Sequence, residues 1–177
     1  MKAKLPLIVI AFLANSAFAQ VKHTLTKSTV TFKIKNMGIG TGGSIGGIQA
    51  NINFSKDKPE LSTTEATAET NTLNTENDAR DEHIKSADFF DVAKYPKITI
   101  KSNSIKHKSG NNYVGNFNVT IKDKTKAIDI PFTYVVNGNL ATFKGGFKML
   151  RTDFGIGENG LILANDLTVD IDIETTQ

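Results

Sequence analysis

The chain has 177 residues, no cysteine and a formal net charge of +3 at pH 7. The absence of cysteine excludes disulfide bonds, thiolate metal sites, a cysteine nucleophile and a lipid-modified N-terminal cysteine. Two of the basic residues, Lys2 and Lys4, belong to the N-terminal segment described next, and without them 19 basic side chains stand against 18 acidic ones. A nearly neutral chain without a basic stripe argues against binding to nucleic acid.

The first 19 residues have the pattern of a secretory signal peptide. Lys2 and Lys4 precede an apolar run over residues 5–13, and Ala17-Phe18-Ala19 fits a small-x-small cleavage site. The apolar run is too short to cross a bilayer, and no later segment approaches the roughly 20 apolar residues that a spanning helix needs. We therefore expect cleavage after Ala19, a periplasmic or secreted product, and a single domain over residues 20–177.

After the N-terminal segment, apolar side chains occupy every second position in about eight runs, as half-buried β-strands require. The first run places Val30, Phe32 and Ile34 on one face, with threonine and lysine residues on the other. The remaining runs cover residues 48–54, 61–73, 98–100, 113–121, 128–136, 143–149 and 167–173. Pro131 interrupts the sixth run, and because proline removes one backbone donor we expect a bulge or a locally unpaired position there.

Long antiparallel strands with one apolar and one polar face form either a sandwich or a closed barrel. Closing eight strands removes every exposed edge and encloses a space wide enough for side chains or for one slender ligand. The inward set combines several phenylalanines with the small residues Ala66, Ala68, Gly115 and Gly145. Alternation alone does not distinguish a packed interior from a cavity, so both alternatives stay open on this pattern.

Residues 77–96 interrupt the alternation and predict one or two short helical turns between the third and fourth strands. Acidic Asp78 and Asp81 suit the positive end of a helix, and Ser86 is a suitable N-cap for a second turn. Tyr95-Pro96 predicts the end of the insert, because the residue before a proline is disfavoured in the helical region.

Two glycine-rich patterns match catalytic motifs without the context that those motifs need. Residues 38–43 fit G-x-G-x-x-G and residues 42–46 fit G-x-S-x-G, but each motif requires a following helix, and here another strand follows. We expect a mobile or bulged connection at a barrel rim instead. His23, His83 and His107 lack metal-ligand spacing and no nucleophile accompanies them, so we predict no metal site and no catalytic residue.

Two segments resemble the signature of the YceI-like, polyisoprenoid-binding family. The first is Arg80-Asp81-x-His83-Ile84-Lys85-Ser86-x-Asp88-Phe89-Phe90-Asp91, followed by Tyr95-Pro96-x-Ile98 and Ser102. The second is Arg151-Thr152-Asp153-Phe154-Gly155-Ile156-Gly157. The resemblance extends over essentially all of residues 20–177. It implies an exported all-β protein with an eight-stranded antiparallel lipocalin-like barrel, a short helical insert between strands 3 and 4, and a long apolar pore.

The resemblance further implies that the pore holds a polyisoprenoid lipid or an isoprenoid quinone, with no other cofactor, for carriage or sequestration. The predicted barrel-lining residues are Phe32, Ile34, Ile52, Phe54, Ile100, Phe117, Val119, Phe132, Phe147 and Val169. The predicted residues of the mouth and the helical insert are Arg80, Asp81, His83, Phe89, Phe90, Arg151 and Asp153. Among these, Arg80, His83 and Arg151 are the expected donors to a ligand head group.

We also predict that Arg80 or Asp81 pairs with Asp153 or Arg151, which would hold the insert over one mouth with Phe89 and Phe90 directed inward. Two other functions stay open on the sequence: a structural or stress-response interaction module with a filled barrel, and an enzyme that acts on a lipid. The oligomeric state is open as well, with a homodimer as one option.

Overall fold

A computed structural model describes residues 20–177, so the predicted signal peptide lies outside the described residues. The strand segments are β1 Val21–Asn36, β2 Ile39–Ile45, β3 Gln49–Phe54, β4 Thr63–Glu69, β5 Lys97–Ser109, β6 Asn112–Ile121, β7 Lys124–Asn137, β8 Leu140–Leu150 and β9 Leu163–Thr176. The α-helix, α1, comprises Asp78–Lys85, and 3-10 helices cover Pro59–Leu61, Thr70–Thr72 and Arg151–Phe154. No helix within residues 20–177 is long and apolar enough to cross a membrane.

Neighbouring strands are antiparallel, and the sheet closes on itself where β1 pairs with β9. β2 and β3 pair with β1 in one continuous register, since Val30 faces Ile45 and Val21 faces Phe54. They are therefore two segments of one strand interrupted at residues 46–48, and the barrel has eight strands. The predicted eight-stranded antiparallel barrel is confirmed, with α1 in the connection between its third and fourth strands, β4 and β5.

The prediction that residues 38–46 form a mobile or bulged connection is wrong, because all but the first and the last of them belong to β2. Gly42 and Gly43 serve close packing rather than a loop. A side chain at Gly42 would collide with the backbone oxygen of Phe32, and one at Gly43 would collide with the backbone oxygen of Asn74. Glycine at these positions removes the apolar alternation from a genuine strand, which is why the pattern concealed it.

Pro131 marks the point at which β7 separates from β8. β7 pairs with β6 throughout, with Val114 facing Pro131 and no bulge between them. Pairing with β8 begins only at Phe132, which faces Gly145. Pro131 is thus unpaired on the β8 side, as one of the two predicted alternatives required. The other alternative, a bulge, does not occur there.

The insert begins as predicted but continues differently. Asn77 caps α1 by accepting a hydrogen bond from the backbone N–H of Arg80 at 2.9 Å. Ser86 ends this helix instead of starting a second one, since its N–H and its hydroxyl both donate to the carbonyl of His83. Residues 87–95 continue as hydrogen-bonded turns, and β5 starts directly after Pro96.

The inward-facing residues pack into two clusters at opposite ends of the barrel. We call one the closed-end cluster; it lies beside the turns at residues 110–111 and 138–139 and consists of Ile52, Phe54, Ile105, Tyr113, Tyr134, Ala141 and Ile173. The other is the mouth-end cluster, beside the turn at residues 122–123, consisting of Val119, Ile121, Met149, Phe154 and Ile156. The ring of Phe54 lies 4.5 Å from that of Tyr134 and 5.2 Å from that of Tyr113, so aromatic packing seals the first end.

His23 completes the seal at the closed end. Its ring is 2% exposed and makes edge contacts with Tyr134 and Phe143. Nδ1 lies 2.9 Å from the hydroxyl of Thr175, which itself donates to the carbonyl of Ala141. The hydroxyl is therefore an acceptor for His23, and Nε2 is buried with no hydrogen-bond partner in the described structure. Burial lowers the pKa of His23, because a second ring proton would have no acceptor.

This arrangement predicts a pH-dependent stability. The unfolded chain binds the His23 proton more tightly than the folded one, so the free energy of unfolding is highest above pH 6.5, the ordinary pKa of histidine, and falls as the pH drops below it. We expect His23→Leu to flatten this decline in urea unfolding curves measured between about pH 7.5 and 5. His107→Gln, a change at an exposed histidine, is the control and should retain the wild-type slope. If the free energy of unfolding of His23→Leu declined with falling pH as steeply as that of wild type, His23 would not be the group responsible.

Candidate functional site

The barrel interior contains an apolar cavity of about 520 Å³ between the two clusters. This volume lies within the roughly 300–1,000 Å³ that ligand sites occupy. Its floor is the closed-end cluster, with Phe54 and Ile105 among the residues in its wall. The interior is therefore not a filled core, and it is open at one end only. It is a cavity with one entrance, whereas the resemblance had implied a pore.

All ten predicted lining residues lie in the cavity wall. Ala66 and Ala68 lie in the wall too, where their small side chains leave space. The inward glycines have a different role: a side chain at Gly115 would collide with the ring of Phe117, and one at Gly145 would approach Cβ of Phe132 to 2.9 Å. Gly115 therefore makes room for an aromatic ring, and Gly145 allows β7 and β8 to approach closely. That the ten residues contact a ligand stays a prediction.

The entrance lies at the other end of the barrel, and we call it the mouth. It is formed by Asn36 and Thr41 of the first hairpin, Arg80 and His83 of α1, and Ile162 of the β8–β9 connection, all of which line the cavity. Asn36, His83 and Ile162 are exposed, so the cavity reaches solvent here. Among the described residues of its wall, none is acidic, and the charged ones are arginines.

The predicted pairing between the two motifs is wrong. Arg80 and Asp81 both bind Thr75, the residue that precedes the insert: Nε of Arg80 donates to its hydroxyl at 2.8 Å, and Asp81 accepts from its N–H at 2.8 Å and from its hydroxyl. The hydrogen bond from the Thr75 hydroxyl is the main reason why the pKa of Asp81 is lowered. Asp153 lies 3.8 Å from Lys126 on the surface and does not line the cavity.

Arg151 is a structural anchor of the mouth. Its side chain is buried, and four of its N–H groups donate to backbone carbonyls at 2.8 to 3.1 Å. The acceptors are Ala164, Ile156, Glu158 and Leu163. Burial lowers the pKa of Arg151, although an arginine stays charged in a protein. With most donors occupied, the predicted role of Arg151 in binding a head group is not favoured by this geometry.

The two motifs do meet at the mouth, through backbone groups rather than an ion pair. The N–H of Gly157 donates to the carbonyl of Asp88 at 3.0 Å. Nζ of Lys122 donates to the carbonyls of Phe89 at 2.8 Å and Gly155 at 2.9 Å, so one lysine ties the insert to the β8–β9 connection. Phe89 and Phe90 pack against the mouth-end cluster and line the cavity.

Lys122 and Thr75 are the residues of this site that the sequence did not single out. Lys122 occupies a tight turn with a φ of 57°, and an ordinary Lys-Asp turn gives no sign of the carbonyls that its side chain reaches. Within residues 20–177, no group of three or more histidine or acidic side chains is placed to hold a metal ion.

The anchoring role of Arg151 is testable by stability. Arg151→Met removes four hydrogen bonds and leaves carbonyls buried without donors, so we expect a loss of roughly 2–4 kcal/mol in the free energy of unfolding. Asp153→Asn, two residues away, breaks only an exposed ion pair and should change it by less than about 0.5 kcal/mol. Denaturant unfolding of both variants provides the measurement, and equal losses would show that Arg151 anchors nothing.

Sequence and structure comparisons identify relatives of this chain. The family model for the YceI-like domain matches residues 22–175. A UPF0312 protein of Azotobacter vinelandii is 31% identical over 134 residues, covering 72% of this chain and 70% of the relative. A UPF0312 protein of Shewanella putrefaciens is 27% identical over 161 residues, covering 85% of this chain and 84% of the relative.

Solved structures share the fold. The crystal structure of Burkholderia cenocepacia BcnA matches with a TM-score of 0.80 and 25% identity, covering 84% of this chain and 96% of that one. A polyisoprenoid binding domain from Saccharophagus degradans, implicated in plant cell wall breakdown, matches with a TM-score of 0.66 over 88% of this chain and 97% of that one. Its 12% identity supports a shared fold and nothing further.

Proposed function

This chain belongs to the YceI-like domain family, and we propose that it binds a polyisoprenoid lipid or an isoprenoid quinone inside its barrel, for carriage or sequestration. The cavity carries the proposal: about 520 Å³ of enclosed space with an apolar wall, one sealed end and one mouth. Such a shape suits a slender apolar chain that enters by one end. The printed name of the Saccharophagus degradans domain, polyisoprenoid binding, supports the same ligand class for a protein of this fold.

Burial of the chain would provide the affinity. Each roughly 100 Å² of apolar ligand surface removed from water contributes about 2.5 kcal/mol before the costs of association are subtracted. The aromatic and branched side chains of the wall offer contact without polar groups that would need partners, so binding would depend on length and width rather than on chain chemistry. The described wall contains no acidic, serine or lysine side chain, and no hydrogen bond joins His83 to a threonine hydroxyl there, which favours a binding protein over an enzyme.

The polar head group would stay at the mouth, next to Arg80 and His83. Arg80 uses Nε and Nη2 for Thr75, and Nη1 makes no hydrogen bond within residues 20–177. The His83 ring lies 4.8 Å from that of Phe89, and neither of its nitrogens is hydrogen-bonded in the described structure. Both side chains are therefore available to donate to quinone carbonyls or to lipid phosphate oxygens, whereas Arg151 is occupied.

The predicted signal peptide supports a location outside the cytoplasm, in the periplasm or beyond the cell, for the proposed binding protein. A lipid with a long apolar chain cannot cross an aqueous compartment by itself, so a water-compatible barrel with an apolar interior would serve as its container there. The strand faces directed outward are polar and carry exposed ion pairs such as Lys27 with Glu174 and Lys33 with Asp170, consistent with such a role.

Extraction of the purified exported protein with organic solvent, followed by mass spectrometry, tests the ligand class directly. We expect an isoprenoid lipid or quinone in the extract, and an intact protein mass corresponding to a chain that begins at Gln20. Repeated recovery of no isoprenoid compound from protein purified out of the bacterial envelope would refute the proposal.

Variants that fill the cavity provide the matched control. Ala66→Leu with Ala68→Leu adds volume to empty space, so ligand recovery should fall while the free energy of unfolding changes by less than about 1 kcal/mol. Gly115→Ala adds a methyl group against the Phe117 ring and should cost roughly 1–3 kcal/mol, as overpacking does. A similar loss of stability from both changes would mean that the interior is a packed core.

The head-group site has its own test. Arg80→Gln should weaken the binding of an isoprenoid quinone about tenfold, the effect of losing one charge-assisted hydrogen bond. Binding of a hydrocarbon with the same chain and no head group should stay unchanged. Glu82→Gln, on the same helix but outside the cavity wall, is the control variant. If Arg80→Gln weakens both ligands equally, the arginine shapes the cavity and does not recognise the head group.

A further inference from the structure

Four large apolar side chains are exposed on two adjacent turns beside the mouth. Met37 and Ile39 belong to the β1–β2 hairpin and are 75% and 73% exposed. Leu161 and Ile162 belong to the β8–β9 connection and are 105% and 65% exposed. We call these four residues the lip. Neither barrel closure nor the binding of a chain inside the barrel explains why they face water.

The lip is held as one unit. The N–H of Met37 donates to the carbonyl of Ile162 at 2.7 Å, which joins the two turns. The hairpin reverses over two residues, Met37 and Gly38, with φ angles of 51° and 78°. Positive φ at both central residues is typical of the tight turns that match the twist of a hairpin, so the tip is compact and projects from the barrel end.

The lip is also continuous with the cavity. Ile162 is exposed and lines the cavity, and its neighbour Leu163 lines it too. On the other turn, Asn36 and Thr41 lie in the wall on either side of Met37 and Ile39. On the β8–β9 connection an apolar path therefore runs from Leu161 through Ile162 and Leu163 into the barrel.

We propose that the lip docks onto a lipid bilayer and opens the cavity directly to the membrane from which the lipid is loaded. The proposal deepens the proposed function, since it assumes that the ligand is a membrane lipid. Exposed leucine, isoleucine and methionine side chains at turn tips fit the boundary between head groups and acyl chains. Residues 35–41 and 159–165 contain no acidic residue, and the one charge there, Lys35, suits anionic head groups.

A second copy of the chain fits the lip less well than a bilayer does. Four side chains on two turn tips are far fewer than the roughly 20–30 residues that each partner contributes to a stable protein interface. Insertion into lipid has no such area requirement, because each apolar side chain gains on its own by leaving water.

Co-sedimentation with vesicles of phosphatidylethanolamine and phosphatidylglycerol tests the proposal. The chain from Gln20 onward is suitable, because every described strand pairing lies within Val21–Thr176 and the apolar segment of the predicted signal peptide would bind vesicles itself. Leu161→Ser with Ile162→Ser should lower the vesicle partition coefficient at least about tenfold. Val136→Ser with Leu140→Ser, a pair at the closed end that is 42% and 52% exposed, is the control and should change it less than about twofold.

Met37→Ser with Ile39→Ser is an independent second variant, should the first unfold in thermal melts. Equal partition of wild type and lip variants, or equal losses from the lip and closed-end pairs, would overturn the proposal. A dimer that is detected by sedimentation velocity and abolished by the lip substitutions would overturn the proposal as well.

Solvent extraction separates this inference from the proposed function. Met37→Ser with Ile39→Ser, at two positions outside the cavity wall, should retain the ability to bind an added isoprenoid quinone yet load from vesicles more slowly than wild type, and this result would support both. Wild type that carries an isoprenoid but does not bind vesicles would overturn the lip alone. Wild type that binds vesicles through the lip but never yields an isoprenoid would overturn the ligand assignment and leave membrane docking in place.

Discussion

The pairing of β1 with β9 is the constraint on which this molecule depends. β1 borders β2 and β3 along one edge and β9 along the other, so the first and last strands of the described chain close the barrel. Closure satisfies the backbone hydrogen bonds of both outer strands and fixes which side chains face inward. Without it the apolar faces would belong to an open sheet, and there would be no enclosed volume to bind a ligand.

The two ends of the closed barrel differ in the groups that occupy them. At one end, aromatic rings around Phe54 and the neutral ring of His23 fill the space. At the other, Arg151 and Lys122 bind backbone carbonyls of segments that contribute no strand pairing of their own. Charged donors to buried carbonyls hold irregular segments in place where apolar contacts alone would leave these carbonyls unsatisfied. These hydrogen bonds therefore attach the irregular segments of the mouth to the barrel.

The barrel and its inward residues were predictable because the signal is local. Alternation along each strand assigns Phe32, Phe117 or Phe132 to one face regardless of the partner strand. The interaction between the two motifs was not predictable, since opposite charges in a sequence do not specify which pairs come within reach. Asp81 and Arg80 form hydrogen bonds with Thr75, a few residues away. Arg151 donates hydrogen bonds to backbone carbonyls that no sequence pattern reveals.

By itself, the sequence determined the family, the number of strands, the helical insert and the identity of the residues that line the interior. The tertiary structure decided that the interior is a cavity closed at one end, that residues 39–45 are a strand, and that Met37, Ile39, Leu161 and Ile162 gather beside the mouth. The reason is physical. Periodicity reports the direction of a side chain relative to its own strand, whereas volume, sealing and the meeting of distant turns depend on how strands curve around one another.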